Sequence, residues 1–472
     1  MTTDKPKKET NYELKPEKST VLREKVANEL KVERWVAQIS QNELAARLGT
    51  SKSNISRIES GKQNLTLDYV AMMAEALDKQ VEFHISDKKV EYGDVTDYWL
   101  KLYDENLVKF RLDRTGLVLH AEVLWVNEEL RHLFPLDLEL TDEGIIKWLR
   151  RRVIPKNREM VGRILDSLGL TVNRLKGIID ICMGLSLNDS YWVPQVDFEG
   201  TFEKYNLYEH PFTSALSLVA YTGYGATIDE FRTSPELTTN GMLRKAWSFS
   251  ESKGIWLYKG GTEGFANAGN EPFCEFMASQ VAEQMGLHAV KYELVRFHGT
   301  VSSRCKLFTD IDTAYVPIGR VIRTGGIDSC LEFYKELGDN FYQELASMLV
   351  FDAVIMNEDR HFGNFGLLRD NHTGKFISPA PVFDNGLSLL CYGMKEDFFN
   401  NYKNYIKERS NPYGEDNEFF TLARKVMGPI QKEQLRKLIG FKFRESDYAN
   451  FPSWRIKALE KLVQDRVTEL LK

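Results

Sequence analysis

The sequence predicts a multidomain α+β protein: an all-α module, then strand-rich sequence, then a large helical region. Three observations carry this. The chain has 472 residues, too many for one ordinary domain, and a 43% hydrophobic fraction with 27 Phe and 20 Tyr supplies substantial cores. Apolar residues recur with helical period as far as Lys79. From Val90 onward short alternating runs signal strands, and long apolar helical stretches follow toward the carboxyl end.

Charge and cysteine usage narrow the class. Residues 1–90 hold 16 Lys and Arg against 14 Asp and Glu, the remainder 46 against 54, for a net charge of −6. That balance excludes a generally basic nucleic-acid coat protein but not a small local site. Cys182, Cys274, Cys305, Cys330 and Cys391 are scattered and form no C-x-x-C pair, which argues against a zinc site or disulfide framework and for a reducing cytoplasm. No apolar run approaches the roughly 20 residues a bilayer span needs, so no membrane partner is expected. Residues 1–18 mix both charges without an apolar stretch and read as a disordered arm.

From Ser19 the pattern is helical, with Val21, Leu22, Val26, Leu30, Val36 and Ala37 on one stripe. Ser40 caps the next helix, with Glu43 at the capping-box position. Gly49 supplies a left-handed turn, Ser51 caps "SKSNISRIESG", Gly61 ends it, and "TLDYVAMMAEALDK" makes a fourth helix. Two short helices joined through a glycine turn are the helix-turn-helix signature. In residue and spacing Gln41, Ala45, Gly49, Ile55, Ile58, Glu59 and Gly61 resemble the Cro/phage-repressor (XRE-type) family over about residues 21–78, within a domain at 19–86. The resemblance implies binding to a DNA operator, with the third helix in the major groove. Its candidates are Lys52, Ser53 and Arg57 at base edges and Gln41 and Asn54 at phosphates, with the cap Ser51 beside them. "QVEFHIS", Gln80 to Ser86, alternates as a strand does, and in antitoxin-like relatives such a strand pairs between subunits, which implies a homodimer.

Residues 87–230 carry no chemical signal. Alternation after Val90 predicts an antiparallel sheet, and "DEGIIKWLRRRVIPKNREMVGRILDSLGL" is helical with a break at Pro155. The basic run Arg150, Arg151, Arg152, Lys156 and Arg158 could meet phosphate, but such a run is more often a solvated helix face, and that is the reading taken. The region is either separate or part of the strand-rich lobe that follows.

Chemistry concentrates in residues 231–472. "QELASMLVFDAVIMN" is an apolar helix ending just before "EDRHFGNFG", after which Phe365–Leu368 and "KFISPAPVF" form a hairpin leading to Asp384. A hairpin returns its ends to one place, so Asp359, Asn364 and Asp384 converge. Phosphoryl transfer asks for such a set: Asp359 as the base, and Asn364 and Asp384 as oxygen ligands of Mg²⁺ against ATP phosphates. An isolated D-x-x-x-x-N is only a turn; the hairpin and "FDNG" change its meaning. Upstream, "LTTNGMLRKAW" is a glycine-containing turn opening into a strand, and "GIWLYKGG" is an apolar strand with Lys259 near its end. A lone cation there needs an anion, such as ATP phosphate. Glu271 and Glu275, one turn apart on the next helix, are both able to fix that lysine. His361 is expected to orient the loop through a hydrogen bond.

"YKGG…AGNEPFCEFMASQVAEQMGL", "NEDRHFGNFG" and "PVFDNG" resemble the HipA-type bacterial serine/threonine kinase family over about residues 230–470. The resemblance implies a two-lobed protein-kinase-like fold, ATP and Mg²⁺ as cofactors, and a protein substrate with Ser or Thr. It also implies Asp359 as catalytic acid/base, metal at Asn364 and Asp384, and nucleotide at Lys259. The family's phosphate-loop spacing falls on Gly241 and Lys245, and its autophosphorylation position falls on Thr238, with Thr239 and Ser234 as neighbours. The family's kinases pair with a separate helix-turn-helix antitoxin, so the fusion implies an autoregulated, toxin–antitoxin-like protein. This loop reads "TTNGMLRK" rather than a Gly/Gln-rich sequence, and "DRH" with "DNG" also resembles phosphoinositide-kinase-like enzymes. Two other readings therefore stand: a DNA-binding regulator whose kinase-like domain senses nucleotide, and a lipid or small-molecule kinase.

Overall fold

Four helices, capped as their sequences require, make the first unit: α1 (Pro16–Val36), α2 (Gln41–Arg47), α3 (Lys52–Glu59) and α4 (Leu67–Glu75). The computed structural model describes residues 16–37, 39–81, 95–115, 118–170, 174–223, 234–263, 267–413 and 418–472. Hence the first fifteen residues of the expected arm, and most of the expected strand at 80–86, lie outside the described residues. Helix α1 starts at Pro16, not Ser19, as a proline at the first helical position allows. Ser40 and Ser51 accept hydrogen bonds from the backbone of Glu43 and Asn54, as N-caps do. The reciprocal half of the capping box does not form, because the Glu43 carboxylate turns to Arg47 one turn on. Leu30, Leu44, Ile55, Ile58, Val70 and Met73 fill a small core of this unit.

A second compact unit begins just after residue 90. Strands β1 (Thr96–Leu102), β2 (Glu105–Thr115), β3 (Val118–Val126) and β4 (Tyr191–Trp192) form an antiparallel sheet in the order β3-β2-β1-β4. Helices α5 (Asp142–Arg150), α6 (Val161–Asp166), α7 (Leu175–Cys182), α8 (Phe202–Tyr205) and α9 (Ser214–Thr222) accompany it. Next come β5 (Lys245–Ser250), β6 (Gly254–Lys259), helix α10 (Glu271–Met285), β7 (Tyr292–Phe297) and β8 (Thr300–Lys306), the strands pairing as β5-β6-β8-β7. Strand β9 (Thr313–Pro317), helix α11 (Gly326–Leu337) and helix α12 (Asp339–Ile355) lead to β10 (Gly366–Asp370) and β11 (Phe376–Pro379), which pair with β9 in the order β11-β10-β9. Helices α13 (Lys395–Phe399), α14 (Tyr402–Lys407), α15 (Phe419–Val426), α16 (Pro429–Arg436) and α17 (Ser453–Leu471) complete the chain. The architecture is the mixed α+β one expected, with a helical first unit, a strand-rich region and a helical region.

Helix α12 is buried on every side from Leu345 to Ile355 at the centre of the largest core, with α10, α15 and α17 packed around it. A helix apolar all round has no solvent face to orient it, so burial fixes its end and the loop that follows. The basic run after α5 is not one solvated face. Arg152 is buried in a bidentate pair with Asp189 at 2.8 and 2.9 Å, and Arg158 is buried among backbone carbonyls. Helix α5 ends at Arg150 with Arg151 as its C-cap, so the basic residues from Arg151 onward no longer share one helical face.

Arg369 fastens the β10–β11 hairpin to the preceding region, donating to the carbonyls of His132 (2.6 Å), Phe134 (3.0 Å) and Gly374 (2.8 Å). Gly374 sits at φ +69°, and a Cβ there would lie 2.4 Å from the His132 oxygen. Gly374→Ala should therefore destabilise the unit by about 1–3 kcal/mol. Urea unfolding measures this, and an unchanged midpoint would show that the hairpin is not held there.

Candidate active site

The loop after α12 is built around Arg360, which is fully buried. Its guanidinium pairs with Asp352 on α12 at 3.0 and 3.1 Å and donates to Asn385 Oδ1 at 2.5 Å. It also donates to the carbonyls of Asn364 and Phe383. One side chain thus ties the segment holding Asp359 and Asn364 to the residue preceding Asp384. Asn357 Oδ1 accepts from the Asp359 amide at 3.1 Å, and Asn364 Nδ2 donates to the Asp359 carbonyl at 3.0 Å, so the amide oxygen of Asn364 faces away from that bond. His361 Nδ1 accepts from the Gly363 amide at 3.0 Å, holding the turn.

Across the cavity, Lys259 ends β6 and Glu275 lies on α10. Lys259 Nζ bonds Glu275 Oε1 and, at 2.5 Å, Asp384 Oδ1, while no described residue bonds Asp384 Oδ2. Glu275 rather than Glu271 fixes the lysine; Glu271 takes the Thr262 hydroxyl at 2.7 Å and the Tyr392 hydroxyl at 2.8 Å. Asp384 has a left-handed backbone, φ 57°. Burial alone would raise its carboxyl, but Lys259 and Lys245 carry it well below the ordinary range. Burial would lower Lys259, yet Asp384 and Glu275 hold it well above an ordinary lysine. Burial raises the Asp359 carboxyl, His361 opposes that, and Asp384 adds to it.

Register adds a feature that spacing alone conceals. Lys245 and Lys259 are directly opposite each other in the β5–β6 pair. Like charges there repel. Lys259 has two carboxylates, whereas Lys245 forms no ion pair among the described residues and is only 8% exposed. Burial lowers Lys245 to about 8, with Asp384 opposing the shift and Lys259 adding to it. Gly241 folds over it, at φ +96°, so closely that a Cβ would meet the lysine nitrogen. Lys245, Lys259, Gly241, Glu271, Glu275, Asp359, His361, Asn364 and Asp384 all line one cavity of about 980 Å³.

The segment before β5 is braced from behind. Arg158 donates to the carbonyls of Glu236 (3.0 Å), Thr239 (3.1 Å) and Lys245 (2.9 Å), and the Glu159 amide donates to Met242 O at 2.7 Å. Thr238 and Thr239 line the cavity. Ser234 is not among its lining; its buried hydroxyl donates to Glu236. Sequence reasoning missed Arg360, Asp352, Asn385 and Arg158. A signal existed for the first pair: an aspartate inside the apolar run "MLVFDAVIM" requires a buried cation.

In the first unit, Lys52, Ser53 and Arg57 are exposed on α3. Arg57 Nη2 donates to Gln63 Oε1 at 2.8 Å. Asn54 turns inward to Thr50 and Tyr69, and Gln41 donates to Glu59 at 2.8 Å, inside the buried Arg34–Glu59 pair. A family model described as helix-turn-helix matches residues 37–83. Residues 37–83 form a helix-turn-helix domain. No curated protein matches the sequence. Among solved structures the chain is similar to the Helicobacter pylori proinflammatory kinase CtkA, at 16% identity over 48% of this chain and 91% of that one, with a TM-score of 0.38. It is also similar to the Shewanella oneidensis MR-1 toxin–antitoxin system HipA, HipB and operator DNA complex, at 12% identity over 79% of this chain and 99% of that one, with a TM-score of 0.49. The helix-turn-helix domain presents Lys52, Ser53 and Arg57 outward, with Ser51 held as a cap. Among the described residues, no helix is long and apolar enough to cross a membrane.

Proposed function

We propose that the chain transfers phosphate from ATP to a Ser or Thr hydroxyl of a protein and binds operator DNA through its helix-turn-helix domain. The observation that carries the first part is the opposed Lys245 and Lys259, which line one cavity together with Asp359, Asn364 and Asp384. Lys245, buried and without an ion pair among the described residues, calls for an anion beside it. In the transfer the substrate oxygen bonds to the γ-phosphorus, the bond from that phosphorus to the β–γ bridging oxygen breaks, and ADP leaves. Asp359 takes the hydroxyl proton. Asn364 Oδ1 and Asp384 Oδ2 would hold Mg²⁺. Mg²⁺ takes few protein ligands and would complete its shell with phosphate and water. When bound, Mg²⁺ neutralises charge developing on the phosphate oxygens. Thr238 and Thr239, on the cavity wall, are the better candidates for self-phosphorylation; Ser234 is turned away. Both activities in one chain fit an autoregulated, toxin–antitoxin-like protein.

Lys245 gives a test by proton count. Its folded pKa of about 8 lies below the ordinary 10.5, so from pH 8 to 10.5 the folded chain holds fewer protons than the unfolded one and stability rises with pH. Phosphate beside Lys245 reverses the shift. ATP binding near pH 9 should therefore take up roughly one proton. Titration calorimetry in two buffers of different ionisation enthalpy measures it, and Lys245→Met should abolish it. Uptake that survives this change would remove Lys245 from the nucleotide site. For the DNA-binding part, Arg57→Ala should cost about 1–3 kcal/mol at a selected operator, and unchanged binding to every duplex would sink the assignment.

A further inference from the structure

The cavity-lining carboxylates are Glu271, Glu275, Asp359 and Asp384, all within the site above, whereas lining charges outside that site are cationic. Arg150, Arg151 and Arg320 are the guanidinium groups of this rim. Arg151 Nη1 lies 2.6 Å and Arg320 Nε 3.7 Å from the same oxygen of Asp137, so two cations share one buried carboxylate. Arg150 is exposed with no ion-pair partner among the described residues. The rim adjoins the catalytic loop: the Gly319 amide donates to the Phe362 carbonyl at 3.0 Å, placing Arg320 one residue from that junction.

We propose that Arg150, Arg151 and Arg320 receive the carboxylates of an acidic segment flanking the phosphoacceptor hydroxyl, which makes this a phosphotransferase for acidic protein sequences. The proposal rests on the phosphotransferase reading and names its substrate class. Guanidinium forks match carboxylates in geometry and stay charged at any working pH. A peptide fits better than a nucleic acid, because residues beyond 90 carry 46 basic against 54 acidic side chains. A long polyanion meets that overall field, whereas a short acidic segment reads only the local rim.

The test uses the full chain, ATP, and three equal-length peptides with one Thr flanked by Glu, by Gln or by Lys. Initial rates and peptide binding are read in parallel with ATP binding. The Glu peptide should exceed the Gln peptide about tenfold in kcat/KM, with the Lys peptide lowest. Arg150→Gln, at an exposed unpaired position, should shrink that preference several-fold, and Arg150→Glu with Arg320→Glu should invert it. Equal use of the Glu and Gln peptides by a protein that binds ATP and labels them overturns the proposal and leaves phosphotransfer standing. ATP binding without preferential binding or labelling of the Glu peptide overturns it as well. Loss of oligonucleotide or ATP affinity in Arg150→Gln, with the peptide preference intact, assigns the rim elsewhere and overturns it. No ATP binding at all removes both readings.

Discussion

Asp359→Asn should slow phosphotransfer by about 10²–10⁴-fold, the usual effect of losing a general base, while ATP affinity changes little. The substitution keeps the shape of the side chain, and the loop is held by groups other than the Asp359 carboxylate. The Asp359 amide is fixed by Asn357, its carbonyl by Asn364, and Arg360 anchors the whole turn. Loss of rate with retained binding is therefore the signature of chemistry rather than collapse. The pH profile adds a second readout. Burial raises the Asp359 carboxyl above its ordinary value, so the rate should climb with pH as that group ionises and then level off. In the Asn variant the climb should vanish. Full-rate labelling by Asp359→Asn would end the assignment of Asp359 as base.

What the sequence disclosed was what local spacing controls. The caps Ser40 and Ser51 and the left-handed glycines Gly49 and Gly61 depend on residues within a turn of one another, and each is found in place. The hairpin that carries Asp384 back was legible for the same reason, although β10 starts at Gly366 rather than Phe365 and gains β9 as a partner. Long-range choices were not legible. Glu271 and Glu275 are equivalent by spacing, and only the packing of α10 against β6 decides that Glu275 meets Lys259. The basic run at 150–158 looked uniform, yet α5 ends at Arg150, Arg152 and Arg158 are buried, and Arg150 and Arg151 line the cavity. Opposition of Lys245 to Lys259 depends on a register that the sequence does not mark.

Arg360→Met should reduce stability by about 3–5 kcal/mol, because it strands the Asp352 carboxylate inside a buried apolar helix. Burial already pushes Asp352 above its ordinary pKa, and the Arg360 charge opposes that push. Without the cation, Asp352 takes up a proton on folding at higher pH, so the variant should lose stability as pH rises from acid toward neutral. A second change separates anchoring from stability. In Asp352→Leu with Arg360→Met both buried charges are gone, and the part of the lost stability that came from the stranded carboxylate should return, while the Asn364 and Phe383 carbonyls and Asn385 Oδ1 stay without a donor. Phosphotransfer should not return with it. The carbonyls of Asn364 and Phe383 still lack their shared donor, so the guanidinium bridge between the Asn364 and Asp384 segments is gone. Denaturant unfolding follows the first quantity and labelled ATP the second. If activity recovers together with stability in the double variant, Arg360 only balances a buried charge; if stability alone recovers, it is the residue that ties the Asn364 segment to the Asp384 segment.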